Sequence, residues 1–434
     1  VDSFTIGILG TIAMVLLVFA GVRVFYAAAA VGLVGLVSMI GWDAGAGMAG
    51  TIPHSKSVTY TLSVLPMFIL IGYLAFHAGL TEALFDAARK WLGWVPGGLA
   101  VATVMAATGF AAVSGASTAT AAVFSRVAIP DMLKAGYDKR LAAGVVAAGG
   151  TLATLIPPSA LLVIYAIIVE ESVGALLVAG FLPGLVSALV YVLIIVGMAR
   201  INPRLGPPIR GYSWRERWKS LPRTTPIIAV VVIIFSAMYF GWATPTEAGA
   251  LGAFVVFVLA LAHGMRWRGL KDALLETAKL TVMIFSIIWG VLLFVRFLGF
   301  AGLPNAFAKW VVALDVPPLA ILICILLFYT VLGMFMDAIG MLLLTLPVVY
   351  PAVMALGYDS VWFGIIVVKM AEICLITPPI GLNCFVVNGV RPDIPLATVF
   401  RGIFPFFVAD VITVGVFIAF PEIILWLPKT MHMT

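Results

Sequence analysis

Hydrophobic positions in this chain fall into long unbroken runs, without the alternation or one-face periodicity of a soluble fold. Residues 4–20, 176–198 and 227–240 with its flanks are apolar over lengths suited to about 30 Å of hydrocarbon, which predicts membrane helices. Helix-breaking residues interrupt the pattern, and the interruptions recur. Pro130 and Pro351, Gly136-Tyr137-Asp138 and Gly357-Tyr358-Asp359, and Pro157-Pro158 and Pro378-Pro379 each stand 221 residues apart, with no gap. A duplicated broken membrane helix is the pattern of a secondary transporter whose site lies where the repeats meet.

Each half also carries a small-residue or polar stretch between two apolar arms too short to span. The arms are 99–113 and 121–129 around Ser114-Gly115-Ala116-Ser117-Thr118-Ala119-Thr120, and 319–332 and 341–349 around Gly333-Met334-Phe335-Met336-Asp337-Ala338-Ile339-Gly340. Both predict re-entrant hairpins, since non-helical backbone at membrane depth survives only when buried in protein or lining a wet cavity. Amphipathic segments 81–91 and 304–310 precede the hairpins and predict helices lying in the interface, the first with Glu82, Asp86 and Lys90 on one face. A third, 268–279, precedes the span 280–298.

Composition strengthens this picture. Of 434 residues, 63% are hydrophobic and 10% charged, which excludes an ordinary soluble domain. The net charge of +6 sits in short loops and sets topology, with no patch suited to nucleic acid. The most basic stretch, 200–223, holds Arg204, Arg210, Arg215, Arg217 and Lys219 against Glu216, which places it in the cytoplasm. Arg23, Arg89, Lys90, Lys134, Lys139, Arg140, Arg266, Arg268 and Lys271 then fall on the same side. Five crossings per half, an odd number, invert the second repeat and put both termini outside. The first apolar run lacks the basic flank and small-residue cleavage site of a signal peptide.

The expected fold is therefore an all-α polytopic membrane protein of two inverted repeats. Residues 1–200 form the first repeat, with hairpin 1 at about 99–129 and a broken helix at about 140–170. A basic cytoplasmic connector covers 201–225. Residues 226–434 form the second repeat, with hairpin 2 at about 319–349 and a broken helix at about 360–390.

Hairpin tips and broken helices leave backbone groups without partners. Their carbonyls, with Ser and Thr hydroxyls, suit Na⁺, and their amide ends suit anions. Candidate groups are Ser114, Ser117, Thr118 and Thr120 at the first tip and Thr151, Thr154, Pro157 and Ser159 at the first break. Their counterparts are Asp337 at the second tip and Thr377 and Pro378 at the second break. Asp337 is costly at membrane depth, and could ligate Na⁺, respond to protons or cap the tip. Glu372 follows Lys369 by three residues, so a local ion pair competes with a functional role. Asp410 lies in the last span, where it would face the bundle interior. Asn383, Asn388, Ser159 and Tyr165 offer polar groups to a substrate, and Arg296 and Arg391 fall near the outer face.

Other chemistries are poorly supported. Cys324, Cys374 and Cys384 lack metal-ligand spacing and read as small buried hydrophobes. His54, His77, His263 and His432 are scattered, and Ser117 lies in a poor nucleophile elbow, so the chain does not read as an enzyme. A channel would share the hairpins but conduct without a sodium gradient. Trp42, Trp91, Trp94, Trp214, Trp218, Trp310 and Trp426 near span ends read as interfacial anchors.

Four motifs resemble the large membrane subunit of tripartite ATP-independent periplasmic (TRAP) transporters. They are Ser114 to Ala122, Leu152-Ala153-Thr154-Leu155-Ile156-Pro157-Pro158-Ser159, Ala243-Thr244-Pro245-Thr246-Glu247-Ala248, and Ile376-Thr377-Pro378-Pro379-Ile380-Gly381-Leu382-Asn383. The resemblance covers essentially the whole chain. It implies an elevator-type, Na⁺-driven importer of the bacterial inner membrane. Its partners would be a soluble periplasmic substrate-binding protein and a small membrane subunit of about four helices. Carried over by position, sodium site 1 would comprise Ser114, Gly115, Ser117, Thr118, Thr151, Thr154 and Pro157. Sodium site 2 would comprise Gly333, Met334, Asp337, Thr377 and Pro378, and the substrate would meet Ser117, Thr120, Ser159, Asn383 and Asn388. The family's hairpin motif has a hydroxyl where this chain has Ala116, so site 1 would lean on Ser114, Ser117 and backbone. The short stretch before the first span fits the unfused form of the subunit. A stand-alone sodium-coupled dicarboxylate carrier is the alternative that the repeat architecture also fits.

Overall fold

The computed structural model describes residues 2–57, 59–209 and 211–431. Arg210 of the basic connector, His432 and the end of the C-terminal tail lie outside the described residues. All regular elements among the described residues are helices. The first half runs α1 (Ser3–Phe19), α2 (Val24–Ile40), α3 (Trp42–Ser57), α4 (Val64–His77), α5 (Leu80–Leu92), α6 (Gly98–Ser114), α7 (Ser117–Lys134), α8 (Lys139–Thr151), α9 (Ala160–Val169) and α10 (Val173–Ile201). A short helix α11 (Trp214–Ser220) stands between the halves. The second half runs α12 (Thr225–Tyr239), α13 (Pro245–Ala262), α14 (Trp267–Ala301), α15 (Leu303–Val312), α16 (Pro318–Gly333), α17 (Ala338–Ala355), α18 (Ser360–Cys374), α19 (Leu382–Val390), α20 (Leu396–Ala419) and α21 (Glu422–Thr430).

The 221-residue spacing of the sequence motifs extends to the helices. It lays α1 on α12, α2 on α13, α4 within α14, and α5 through α10 on α15 through α20. Packing follows the same correspondence, since α2 lies along α14 as α13 lies along α4. The repeated Gly-Tyr-Asp is explained by turn chemistry. Gly136 and Gly357 stop the hairpins in left-handed conformation, at φ +82° and +87°. Asp138 and Asp359 then cap α8 and α18 by accepting from the amides of Arg140 and Trp362. Tyr137 adds a further tie, its hydroxyl accepting from the Leu99 amide at 2.9 Å and so satisfying the first turn of α6.

Among the described residues six helices are long and apolar enough to cross a membrane, and the bent pair Trp214–Arg223 and Thr225–Tyr239 makes a seventh if it is one span. Helices α1, α2, α6, α9 and α16 are apolar but shorter, so the crossings counted from charge are not uniform spans. Two expectations fail in informative ways. Segment 268–279 is no separate interfacial helix: it continues without a break into the 35-residue α14, which contains no proline. The second hairpin arms do not stop at their prolines. Helix α7 runs through Pro130 and α17 through Pro347 and Pro351, because each proline removes a single amide donor and neighbouring helices support the backbone around it.

Helix α5 is amphipathic as expected, with Asp86 paired to Lys90 at 2.6 Å and to Arg89 at 2.8 Å. Partial burial alone would raise the Asp86 pKa, but the hydrogen bonds from Lys90 and Arg89 outweigh it and hold the carboxyl below its usual range. Trp42, Trp94, Trp214, Trp218, Trp310 and Trp426 are exposed, as anchors require, whereas Trp91 is part-buried and donates to the Arg217 carbonyl.

Small residues set the crossing of α8 and α20. A Cβ on Gly144 of α8 would lie 2.2 Å from the Gly402 carbonyl oxygen of α20, and one on Gly402 would lie 2.0 Å from that of Arg140. Gly144→Ala is therefore expected to cost about 1–3 kcal/mol through forced separation of the two helices. Thermal unfolding in detergent checks it, with Gly415→Ala, which meets open space, expected to be near neutral.

Candidate functional site

The first hairpin turns in two residues. Helix α6 ends at Ser114, Gly115 is left-handed at φ +58°, Ala116 is extended, and α7 begins at Ser117. A Cβ on Gly115 would lie 2.3 Å from the Pro158 carbonyl oxygen, so the tip sits directly on the first broken helix. Below the tip the Ser114 and Thr120 hydroxyls are 3.0 Å apart, and Thr120 donates to the Ala116 carbonyl. Asn383 at the start of α19 donates to the Ser117 hydroxyl at 2.8 Å and to the Ala147 carbonyl at 3.1 Å. One amide side chain thus ties hairpin 1 to the broken helices of both repeats.

At the first break α8 ends at Thr151, a 3₁₀ turn covers Leu152–Thr154, and a cis peptide joins Pro157 to Pro158. Ser159 caps α9 and donates to the Thr154 carbonyl. The second break matches it, with α18 ending at Cys374, a cis peptide between Pro378 and Pro379, and α19 starting after Gly381. Thr377 donates to the Ile373 carbonyl at 2.6 Å. The second tip approaches this break closely, since a Cβ on Gly333 would lie 1.6 Å from Cys374 Sγ.

One pair of equivalent positions sets how each second arm is capped. Asp337 caps α17 by accepting from the Gly340 amide at 3.1 Å, whereas Ala116, its counterpart 221 residues earlier, gives α7 no side-chain cap. The first-turn amides of α7 therefore keep their partial positive charge, and the second tip presents a carboxylate. Both tips open into one cavity of about 610 Å³, which Gly115, Ser117, Thr118, Thr154 and Asp337 help to line. Its far wall includes Arg23, from the α1–α2 turn, and Leu280, Met283 and Ile287 of α14. A second cavity of about 420 Å³ meets the first tip from another side, at Ser114, Ala116 and Thr118, and contains Arg126 and Glu276.

The sequence-derived candidates divide accordingly. Ser114, Gly115, Ser117, Thr118, Thr154 and Pro157 gather at the first tip and break. Gly333, Met334, Asp337, Thr377 and Pro378 fall at the second tip and break. Asn383 joins the first group through Ser117. Thr120 lies beneath the tip, and Ser159 is buried in its capping role. Asn388 donates to the Ile394 carbonyl in the turn after α19, and Tyr165 donates to the Ser360 carbonyl in the bundle; neither lines the large cavity. Arg391 is taken by Asp393 at 2.8 Å, whose carboxyl this hydrogen bond holds down at about 2.

Thr151 makes a second set of contacts. Its hydroxyl points away from the tip, into the bundle, and lies 2.7 Å from the Ala148 carbonyl and 2.8 Å from Glu372 Oε1. That engages its buried hydroxyl away from the hairpin, and its carbonyl accepts from the Thr154 hydroxyl at 2.8 Å. Sequence reasoning missed the cluster it joins. Lys369 Nζ lies 2.9 Å from Glu372 Oε2 and 2.7 Å from Asp410 Oδ1, and Tyr191 donates to the same Asp410 oxygen at 2.8 Å. The Lys369–Glu372 pair was legible in their i, i+3 spacing. Asp410 is 41 residues beyond Lys369, and only the packing of α20 on α18 brings it in.

Comparison with known proteins agrees with this architecture. The family described as tripartite ATP-independent periplasmic transporter, DctM component, matches residues 7–423. A C4-dicarboxylate TRAP transporter large permease protein of Pseudomonas aeruginosa is 37% identical over 377 residues, covering 86% of this chain and 88% of that protein. A sialic acid TRAP transporter large permease protein of Vibrio cholerae is 32% identical over 372 residues, covering 85% and 86%. Among solved structures, the Alcanivorax borkumensis YdaH transporter superposes with a TM-score of 0.59 at 14% identity, covering 88% of this chain and 89% of that one, a likeness of fold alone.

Proposed function

Because this chain belongs to the DctM-component family of tripartite ATP-independent periplasmic transporters, whose similar members are transporter permeases, we propose that it imports a small organic carboxylate by Na⁺-coupled secondary transport. In this reading a periplasmic binding protein delivers the substrate, and a small membrane subunit completes the complex in the bacterial inner membrane, with both termini of the large subunit periplasmic. The relatives' names, C4-dicarboxylate and sialic acid, support a carboxylate substrate without choosing among them.

The observation that carries the reading is the cavity shared by two unlike tips. An anionic carboxyl group is served by the uncapped amides of α7 with the Ser117 and Thr118 hydroxyls. Cations are served by backbone and side-chain oxygens. One set is Ser114, Gly115, Thr154 and Pro157, and the other is Gly333, Met334, Asp337, Thr377 and Pro378. Opposite charges would then occupy neighbouring seats, so each favours binding of the other. The pairing of α2 with α14 and of α4 with α13 supplies a frame against which the hairpins and broken helices would slide as an elevator.

Uptake into proteoliposomes holding this chain and its small subunit, with candidate carboxylates, tests the proposal. Uptake is expected to need both an inward Na⁺ gradient and the binding protein. Uptake without the binding protein would identify a stand-alone carrier instead. Asp337→Asn separates charge from capping, because Asn caps a helix about as well as Asp. The variant is expected to keep wild-type stability and lose about tenfold or more of its Na⁺-driven uptake, equivalent to roughly 1.4 kcal/mol. Undiminished uptake would reduce Asp337 to a cap.

A further inference from the structure

Helices α8, α10, α18 and α20 enclose a group of charges that the transport cavity does not reach. Lys369, Glu372 and Asp410 have no exposed surface, and neither have Thr151 and Tyr191, which complete the group. One ammonium faces two carboxyl groups, so if every group were ionised the cluster would carry one net negative charge in the bundle interior. No second cation faces it: α18 contributes Lys369 and Glu372, α20 Asp410, α10 the Tyr191 hydroxyl, and α8 the Thr151 hydroxyl. Asp410 Oδ2 is buried and has no hydrogen-bond partner. An unpaired carboxylate in such a place costs far more than a neutral carboxyl with one unsatisfied atom.

The hydroxyl of Thr151 adds an independent count. It has one hydrogen but lies within hydrogen-bond distance of two acceptors, the Ala148 carbonyl at 2.7 Å and Glu372 Oε1 at 2.8 Å. A carbonyl can only accept. Thr151 can donate to either one, but both contacts are met at once only when it gives its hydrogen to Ala148 and Glu372 supplies a hydrogen to it. We propose that the Lys369–Glu372–Asp410 cluster binds one proton, shared between the two carboxyl groups. The macroscopic titration belongs to the pair, not to either residue. A sodium ion does not fit the same place: it needs a shell of several oxygens, and of the four carboxyl oxygens only Asp410 Oδ2 is not already turned to the ammonium or a hydroxyl. On the elevator reading above, the proton leaves the moving body without uncompensated charge from this cluster. The proton count itself is independent of that reading.

Infrared spectroscopy of the protein in lipid tests the proposal without transport. Wild type at neutral pH is expected to show a protonated-carboxyl stretching band that Glu372→Gln and Asp410→Asn each remove, because either amide makes the cluster neutral without the proton. Absence of a variant-sensitive band overturns the proposal. So does an unchanged band together with loss of one bound ²²Na⁺ per chain in either variant, which would make the cluster a sodium site. Should a carboxamide variant fail to fold, Thr151→Val decides. It deletes the acceptor that Glu372 uses when it holds the shared proton, so the wild-type band must shift, and a band unmoved by it overturns the sharing.

Discussion

Gly115→Ala is expected to lower Na⁺-driven uptake by about tenfold or more, a loss of roughly 1.4 kcal/mol or greater in the transport step. Two costs coincide at this position. An L-residue with a side chain pays about 1–2 kcal/mol to hold the left-handed conformation that ends α6 at φ +58°. The added methyl would also lie 2.3 Å from the Pro158 carbonyl oxygen, and that atom belongs to backbone and cannot swing aside. Relief requires the tip to lift off the broken helix, which separates the oxygens proposed to share an ion. Gly136→Ala is the control. Its φ of +82° carries the same conformational cost, but a Cβ there meets nothing within 4 Å. Gly136→Ala is therefore expected to lose stability and keep uptake. Equal loss of uptake in both variants would show that backbone strain, not the approach of tip to break, sets the effect.

Lys369→Met is expected to destabilise the protein by about 3–5 kcal/mol, the usual cost of removing one partner from a buried ion pair. Glu372 and Asp410 would face each other across the space of the lost ammonium, and a second proton would have to bind to hold the helices together. Thermal unfolding in detergent measures the loss. The companion variant carrying Lys369→Met, Glu372→Gln and Asp410→Asn together is expected to recover much of it, because a neutral cluster no longer leaves a charge buried alone. If the triple variant unfolds as early as the single one, packing of the lysine stem, not its charge, is what matters there.

Much of the architecture was legible in the sequence because its signals are local. Two Pro-Pro pairs, two Gly-Tyr-Asp turns and two small or polar hairpin centres each fix backbone behaviour within a few residues, and their common spacing related the halves. The amphipathic α5 was visible from charge placement, and Asp410 stood out as an acid in an apolar run. What sequence could not supply was direction. Thr151 and Thr154 are three residues apart beside the same break, yet Thr154 lines the cavity and Thr151 turns to α18. The bond between Lys369 and Asp410 depends on how α20 lies against α18, and no short motif encodes that. Prolines misled in the other direction: Pro130 and Pro351 looked like helix ends, but the bundle supports the helices through them.

The contact between Thr151 and Glu372 joins residues 221 positions apart, which is the spacing that relates the two halves. Equivalent positions can touch only on the axis that relates them. In an ancestor assembled from two identical halves, whatever residue stood there would have met its own copy, so a glutamate would have faced a glutamate. A single polypeptide carrying both halves is free of that restriction, and here a hydroxyl takes one side and a carboxyl the other. A lopsided centre of this kind is open to a gene fusion and closed to a homodimer.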